Sequence, residues 1–295
     1  MKRKASFHYH LMLFPTMALL AVFSIYPMFG VLIAFQDFNP GKGIWGSEYV
    51  GWENFEYMFQ IPEVKRIFAN TLSIAVMKIA LTQLFALGFA LLLNEWTGRF
   101  FKRSVQTIVY LPHFISWVLL AGIFKNIFAL DGALNHLLAS MGVDPVFFLG
   151  SNAWFPGILV GTHVWQEFGF SAIIYLAALT AIDPTLYEAA DMDGATRWRK
   201  LLHITLPSLA ATIVLLLTLD LQNVLNAGFE QILNMYNPLV YDSSDIIDTY
   251  VYRAGFKDFQ YELATAVGLL KSVVGFILIS ISYVLASKFA NYRIF

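Results

Sequence analysis

Several carboxylate and amide side chains lie in segments that are otherwise apolar, where each polar group is costly to place against lipid. In the segment from Leu206 to Phe229 and just after it, these residues are Asp220, Gln222, Asn223, Asn226 and Glu230. At about 100° per residue they occupy a little less than half of a helix circumference. The segment from Phe155 to Thr180 adds Gln166, Glu167 and Phe170. Amides and carboxylates bind hydroxyl groups and aromatic rings stack on C–H faces, so this set is typical of a pathway for a hydroxyl-rich solute such as a sugar.

The same residues have a second interpretation, to which we give equal weight for any single side chain. Polar groups in membrane helices also hold neighbouring helices together through hydrogen bonds, at about 0.6 kcal/mol each on average. Lys78 and Lys271 present a similar choice: each could balance Glu167 or Asp220, or extend its amino group toward an outer surface.

The segments that carry these residues are membrane helices by composition and length. Hydrophobic residues make up 58% of the chain and charged residues 13%, against about 25% charged residues in soluble domains. A helix needs about 20 apolar residues to cross a bilayer. The predicted spans are Leu11 to Phe35, Phe68 to Asn94, Ser104 to Ala129, Phe155 to Thr180, Leu206 to Phe229 and Leu263 to Ser287. Continuous apolar runs of this length exclude a barrel of strands, so we expect an all-α polytopic membrane protein with six transmembrane helices.

Lysine and arginine set the expected orientation, because positively charged loops remain in the cytoplasm. The basic residues assigned to the inner side are Lys2, Arg3, Lys4, Arg99, Lys102, Arg103, Arg197, Arg199, Lys200, Lys288 and Arg293. Both termini are therefore predicted to be cytoplasmic. We expect a short tail (residues 1–10) and a single six-helix domain (residues 11–295). Two long external loops (residues 36–67 and 231–262) contain aromatic and charged residues and are predicted to receive a solute receptor, or else to pack against each other and a partner subunit.

The cytoplasmic stretch from Glu188 to Pro207 has more structure than a short connection needs. Small residues surround Gly194, which tolerates positive φ and so predicts a turn. After the turn, Trp198, Leu201, Leu202 and Ile204 recur at helical spacing beside basic residues. Pro207 suits the first turn of the next membrane helix. An amphipathic helix resting on lipid would show the same periodicity.

The stretch also resembles a specific motif. Glu188-Ala189-Ala190, Gly194 and Ile204-Thr205-Leu206-Pro207 match the pattern E-A-A-x-x-x-G-x(9)-I-x-L-P of the EAA loop in ABC importer permeases. Four further segments are similar to the carbohydrate-uptake branch of that family, namely Tyr26 to Pro40, Val50 to Phe55, Asn70-Thr71 and Tyr110 to Ser116. These segments look most like permeases for oligosaccharides and polysaccharide fragments.

The resemblance implies the function of the chain and its partners. It implies that the EAA loop is a coupling helix that docks on an ATP-hydrolysing subunit, with docking roles for Glu188, Ala189, Ala190, Asp193, Gly194, Ile204, Leu206 and Pro207. It further implies a second, related permease that forms a heterodimer with this chain, two ATPase subunits that bind ATP and Mg²⁺, and an extracellular or periplasmic solute-binding protein. The chain itself would be a transport subunit of the bacterial cell membrane, with no enzymatic activity, cofactor or metal.

The motifs absent from the sequence are consistent with that division of labour. The sequence has no G-x-x-x-x-G-K-[ST] cradle for ATP phosphates, no cysteine nucleophile or thiolate ligand, and no H-E-x-x-H metal pair. Asp191, Asp193 and Gly194 resemble part of the metal-binding signature of phospholipid head-group transferases, but their spacing does not fit it. No basic cluster supports binding of nucleic acid. The main alternative function is a secondary transporter in which Glu167, Asp220 and Glu230 carry protons or sodium ions.

Overall fold

The chain is almost entirely helical. A computed structural model describes residues 2–222 and 224–289, with side chains described from 9 to 281 apart from residue 223. Six residues that carry predictions above have side chains outside this description: Lys2, Arg3, Lys4, Asn223, Lys288 and Arg293. The longer helices are α1 (Lys2–Leu20), α4 (Pro62–Glu95), α8 (Phe155–Thr180), α11 (Leu206–Gln222) and α15 (Tyr261–Phe289), with β1 (Gln36–Asp37), α2 (Gly43–Gly46), β2 (Glu48–Tyr49) and α3 (Glu53–Gln60) between α1 and α4. The shorter helices after α4 are α5 (Arg99–Tyr110), α6 (Trp117–Phe128), α7 (Ala133–Ser140), α9 (Pro184–Met192), α10 (Arg197–Lys200), α12 (Phe229–Met235), α13 (Tyr241–Ser244) and α14 (Ile247–Tyr252).

Five or six of the described helical segments are long and apolar enough to cross a membrane. The five are Tyr9–Phe35, Pro62–Glu95, Trp117–Ser140, Arg197–Gln222 and Tyr261–Ile281. The sixth candidate combines α8 with α9, and the chain bends by 66° at the short break between these two helices. The chain is therefore a multi-pass membrane protein.

The described chain divides into two compact units, of which the first comprises residues 1–64 and 250–272. Its N-terminal helix continues from α1 through a wide turn (Ala21–Ile25) into a tight helix (Tyr26–Phe35). The segment after this helix folds back, because β1 and β2 pair antiparallel and the Asn54 amide donates to the carbonyls of Ala34 and Gln36, at 3.1 and 2.9 Å. Phe35 packs on Tyr49, with 6.5 Å between ring centroids.

The second unit, whose described residues are 65–222, 224–249 and 273–289, contains a buried apolar cluster. Small residues allow its helices to pack closely, as is common in membranes. The buried cluster comprises Ala86, Ala90 and Leu93 of α4, Ala172, Tyr175, Leu176 and Leu179 of α8, and Leu209 and Leu216 of α11. At one end of this unit the Asn70 amide donates to the carbonyl oxygens of Asp242 and Asp245, and Arg66 pairs with the Asp242 carboxylate at 3.0 Å.

The third predicted span, Ser104 to Ala129, is not one continuous helix. Helix α5 ends at Tyr110, a tight turn covers Leu111–Phe114, and α6 begins at Trp117. Pro112 explains the break, because proline has no N–H to donate and its ring disfavours helical continuation. The N-terminal piece packs directly on α8, where a Cβ at Gly169 would lie 2.3 Å from the Val109 carbonyl oxygen.

The fifth predicted span also differs at both ends. It begins earlier, because α10 runs through a wide turn (Leu201–Thr205) into α11 without interruption. Pro207 therefore lies inside a continuous helix, and the prediction that it starts a new helix is wrong; the i→i+5 bonding of the wide turn accommodates the N–H that proline lacks. At the other end α11 stops at Gln222 rather than Phe229. Ala227 and Gly228 have φ of 44° and 84°, and such left-handed residues cannot continue a right-handed helix.

Candidate functional site

Helix α9, which carries Glu188 to Met192, has a well-formed cap at each end. At its start the Thr185 N–H donates to the Asp183 carboxylate at 2.9 Å, and this hydrogen bond holds the pKa of Asp183 below its usual value. At its end the N–H of Gly194 donates to the Asp191 carbonyl and the N–H of Ala195 to the Ala190 carbonyl, at 3.1 and 2.9 Å. These two bonds form a Schellman motif, which needs a left-handed residue. Gly194 supplies that residue with φ of 71°, so the predicted turn is present.

Two contacts tie α9 to the helix that follows it. The Lys200 Nζ donates to the Asp191 carboxylate at 2.7 Å, and the hydroxyls of Tyr187 and Thr205 form a hydrogen bond at 2.9 Å. Because α10 and α11 form one continuous helix, these side-chain contacts connect α9 to a membrane helix in addition to the covalent backbone connection. Ala190, Ile204 and Leu206 are half-buried in this arrangement, whereas Glu188, Ala189, Asp193, Gly194 and Pro207 are exposed.

The exposed surface of α9 carries both apolar and acidic side chains. Met192, the last residue of α9, is 89% exposed, and Leu186 in its first turn is 48% exposed. The acidic residues Glu188, Asp191 and Asp193 are also exposed. Methionine is a flexible side chain suited to filling a cavity in a protein partner. The structure therefore presents a capped helix whose exposed surface combines apolar and acidic side chains, which suits contact with a protein partner.

A cavity of about 370 Å³ lies among α4, α8 and the end of the α11 region. Its polar lining brings together three of the residues predicted for the substrate pathway, Glu167, Asp220 and Asn226. The remaining wall is formed by Ala75, Lys78, Ile79, Thr82, His163, Ser171, Val224, Ala227 and Gly228. Such a lining combines acceptors, donors and apolar surface, as sugar sites do.

The two carboxylates of this cavity each have a hydrogen-bond partner. Glu167 Oε2 lies 2.9 Å from His113 Nδ1. The Gln83 amide donates to Asp220 Oδ2 at 2.6 Å, and the Tyr175 hydroxyl donates to the Gln83 carbonyl oxygen at 2.6 Å. Each carboxylate thus uses one oxygen for a neighbouring helix, which leaves the other oxygen for a ligand hydroxyl.

The other residues predicted for the pathway are placed elsewhere. Gln166 is buried and its amide donates to the Ile115 carbonyl at 3.0 Å, so it stabilises the break in the third span. Phe170 stacks on His113, with ring centroids 4.0 Å apart. Gln222 is exposed at the end of α11, and Glu230 is exposed on α12. Because the helix ends before Asn226 and Glu230, the prediction that all five polar residues share one helical face is wrong.

Both predictions made for Lys78, an ion pair with Glu167 or Asp220 and an amino group at an outer surface, are wrong. Its side chain is buried and does not extend to an outer surface, and it pairs with neither Glu167 nor Asp220. Instead its Nζ donates to the Ala227 carbonyl at 2.7 Å and to the Gln231 amide oxygen. The Gln231 amide nitrogen in turn donates to the Leu159 carbonyl and the Thr162 hydroxyl. Lys271 is half-buried on α15.

Sequence reasoning missed His163 and Gln83 as residues of this region. Gln83 carried a usable signal, because an amide in a membrane helix needs a hydrogen-bond partner. His163 offered no such signal, since it stands alone in its segment without a ligand-like pair.

Three comparisons with known proteins extend these observations. The family model described as binding-protein-dependent transport system inner membrane component matches residues 83–291. The chain is 42% identical to Protein LplB of Bacillus subtilis over 97% of its own length and 90% of that protein. It is also 42% identical to the polygalacturonan/rhamnogalacturonan transport system permease protein YteP of the same organism, over 97% of this chain and 89% of that protein. Among solved structures, the chain matches a subunit of a bacterial alginate ABC transporter in complex with an alginate pentasaccharide-bound periplasmic protein. The TM-score is 0.89 and the identity 35%, over 99% of this chain and 98% of that one.

Proposed function

The chain belongs to the family of binding-protein-dependent transport system inner membrane components, and from this membership we propose that it forms half of the translocation pathway of an ATP-driven oligosaccharide importer. The observation that carries the proposal is the match over nearly the whole chain to sugar ABC permeases, both in sequence and in fold. The six predicted spans would then cross the bacterial inner membrane with both termini in the cytoplasm.

In this proposal α9 is the coupling helix. Its caps hold it rigid, its tip is exposed, and its contacts through Tyr187 and Lys200 connect it to the fifth span. ATP binding would close two ATPase subunits, and the motion would pass through α9 to α8 and α11. Glu188, Ala189 and Ala190 would contact the ATPase, and Gly194 would supply the turn that sets the angle of α9. Asp193, Ile204, Leu206 and Pro207 would fix the segment on either side of that contact.

The solute would pass along the wall that carries the cavity. Glu167, Asp220 and Asn226 would accept hydrogen bonds from sugar hydroxyls as the pathway opens alternately to the two sides of the membrane. Gln166, Phe170, Gln222 and Glu230 would support that wall or extend it, and Asn223 adjoins it in sequence. A second, related permease would complete the pathway, and a solute-binding protein would deliver the sugar. The second of these partners is supported by the similar alginate transporter, whose structure is a complex with a periplasmic protein that holds an alginate pentasaccharide.

Purification of the complete assembly tests this proposal. A tagged chain expressed in its own host and extracted in mild detergent is expected to bring down a second permease and an ATP-hydrolysing subunit. Uptake in membrane vesicles should require ATP and should persist when an ionophore collapses the ion gradients. A chain that purifies alone, with uptake abolished by the ionophore, would instead support a secondary transporter that uses Glu167 and Asp220.

A further inference from the structure

A second cavity, of about 560 Å³, lies at the ends of three membrane helices. Its wall includes Glu95, the last residue of the span Pro62–Glu95, and Arg197, the first residue of the span Arg197–Gln222. It also includes Leu179, one residue before the end of α8. The cavity is therefore at a boundary between lipid and water, and its volume is within the range of ligand sites, about 300–1,000 Å³.

The wall of this cavity changes from apolar to charged along its helices. Its apolar part consists of leucines within the spans, namely Leu91, Leu92, Leu179 and Leu201. Leu92 is 75% exposed, as expected of a side chain that faces lipid. One helical turn further out, the wall becomes polar at Asn94, Glu95, Arg197, Trp198 and Lys200. Trp198 is 66% exposed, and tryptophan is enriched where membrane meets water. Such a wall matches a ligand with a polar head and an apolar chain.

The basic groups of this wall are accessible. Arg197 is exposed, and neither it nor Glu95 takes part in the ion pairs found among the described residues. Lys200 donates to the Asp191 carboxylate at 2.7 Å, which leaves two of the three N–H donors of its ammonium. The lining thus has two positive charges and one negative charge. A guanidinium binds phosphate through two parallel hydrogen bonds, so Arg197 is suited to a phosphate group.

Two contacts between α9 and the helix after it hold the wall in shape. Tyr187 and Thr205 both line the cavity, and their hydroxyls form a hydrogen bond at 2.9 Å. The ion pair of Lys200 with Asp191 is the second contact. Ligand sites are usually largely preformed, and these contacts give this cavity that property.

We propose that this cavity binds the headgroup of a membrane phospholipid, with the phosphate held by Arg197 and Lys200. The start of an acyl chain follows the leucines into the membrane, and Glu95 accepts a hydrogen bond from a headgroup hydroxyl or ammonium. Basic pockets between membrane helices bind lipid headgroups in other proteins. The leucines favour a lipid over a soluble anion, because only the lipid joins an alkyl chain to its phosphate. The site requires only the membrane helices, so it does not depend on the proposed transport function.

Photolabelling of the full chain, with the subunits that co-purify with it in mild detergent, tests the site. The probe is phosphatidylglycerol with a photoreactive diazirine near the start of one acyl chain. The control lipid is glucosyl diacylglycerol with the same chains and no phosphate. Mass spectrometry measures labelling of the α4 peptide that contains Leu91 and Leu92. We expect saturable labelling by phosphatidylglycerol but not by the control lipid, and an equal concentration of inorganic phosphate should leave the labelling unchanged.

Two arginines of the same short helix provide matched variants. Arg197→Gln removes the phosphate contact, whereas Arg199→Gln removes the same charge at an exposed residue outside the cavity wall. Arg197→Gln should raise the half-saturating concentration of phosphatidylglycerol about tenfold or more, as for loss of a hydrogen bond to a charged group. Arg199→Gln should change it by less than about twofold, because exposed charges contribute little. Arg197→Lys keeps the charge and should retain most of the binding.

Four results would overturn the proposal. Equal labelling by the two lipids would show ordinary contact with the bilayer. Equal losses in Arg197→Gln and Arg199→Gln would show a general attraction to positive charge. Competition by inorganic phosphate at equal concentration would indicate a site for a soluble anion. Absence of labelling in the wild type would show that the cavity is closed to lipid, for example by a subunit of the assembly.

Discussion

Gln83 joins two polar side chains of neighbouring helices, and its replacement is the simplest test of that network. Gln83→Leu removes the hydrogen bonds to Tyr175 and Asp220 together. At about 0.6 kcal/mol per bond in a membrane protein, the expected loss of stability is about 1 kcal/mol. Tyr175→Phe removes one bond with little change in shape and should cost about half as much. The thermal midpoints of the two purified variants should fall in that order, and equal midpoints for wild type and Gln83→Leu would contradict the network.

Two neighbouring residues in the fourth span, Gln166 and Glu167, show how far the sequence predicts the position of a single side chain. Gln166 and Glu167 were both predicted to line the pathway, and of the two only Glu167 lines the cavity. Consecutive side chains on a helix point about 100° apart, and the choice between them depends on what packs nearby. The amide of Gln166 binds a carbonyl that is free only because the third span is broken. That requirement comes from another segment and cannot be read from the helix that carries Gln166.

Helix α9 depends on its cap at Asp183. Asp183→Ala should fray the first turn and raise the hydrogen-exchange rates of the amides of residues 185–188, whereas Asp183→Asn should keep them low because asparagine also caps helices well. Because the folded chain lowers the pKa of Asp183, the carboxylate contributes stability above its ordinary pKa of 3.8, and this contribution is lost as the pH falls through the lower folded value. Mass spectrometry of exchanged peptides measures the rates. Unchanged exchange in Asp183→Ala would show that the cap does not support α9.

A side chain at Gly228 should destabilise the break in the fifth span, because it would displace the hydrogen-bonded Lys78 amino group. A Cβ at this position would lie 2.6 Å from the Lys78 Nζ, and the residue already has φ of 84°. Gly142 is a matched control, because it has φ of 78° but no atom within 4 Å of an added Cβ. Both alanine variants carry the strain of a left-handed residue, about 1–2 kcal/mol, and Gly228→Ala adds the clash. Its thermal midpoint should therefore fall further than that of Gly142→Ala, and equal midpoints would refute the close contact with Lys78.

The helices themselves were well predicted by long apolar runs, but the breaks within them were not. Hydropathy identifies each segment and is insensitive to a change of backbone direction inside it. Pro112 was a visible signal for the break in the third span. Ala227 was not, because alanine favours helices and its left-handed conformation is imposed by tertiary contacts such as the hydrogen bond from Lys78.

The orientation of the whole molecule is open to a direct labelling test. The chain contains no cysteine, so single cysteines can be introduced without removing others. Met192 is 89% exposed, and Asp144 is exposed after α7. With both termini inside, Asp144→Cys should react with a membrane-impermeant maleimide in intact cells, and Met192→Cys only after permeabilisation. The reverse labelling pattern would invert the proposed topology.

For the whole molecule, the family resemblance predicted more about function than composition did. Composition alone gives a multi-pass membrane protein, whereas the spacing from Glu188 to Pro207 identified the ABC permease family that the comparisons support. Neither composition nor the family resemblance gives the geometry of partner docking, because that geometry depends on the partner's cleft. This chain shows only its own half of the contact, an exposed, capped helix.

Sugar- and receptor-stimulated ATP hydrolysis by the purified assembly measures directly whether α9 transmits the ATPase cycle to the membrane helices. Gly194→Glu places a charged side chain at the turn after α9, and Gly142→Glu places the same change in a second Schellman turn with φ of 78° and open space around it. We predict that Gly194→Glu assembles but loses at least about 90% of the stimulated activity, which corresponds to about 1.4 kcal/mol or more, while Gly142→Glu keeps it. Equal stimulation in the two variants would contradict the coupling role of α9.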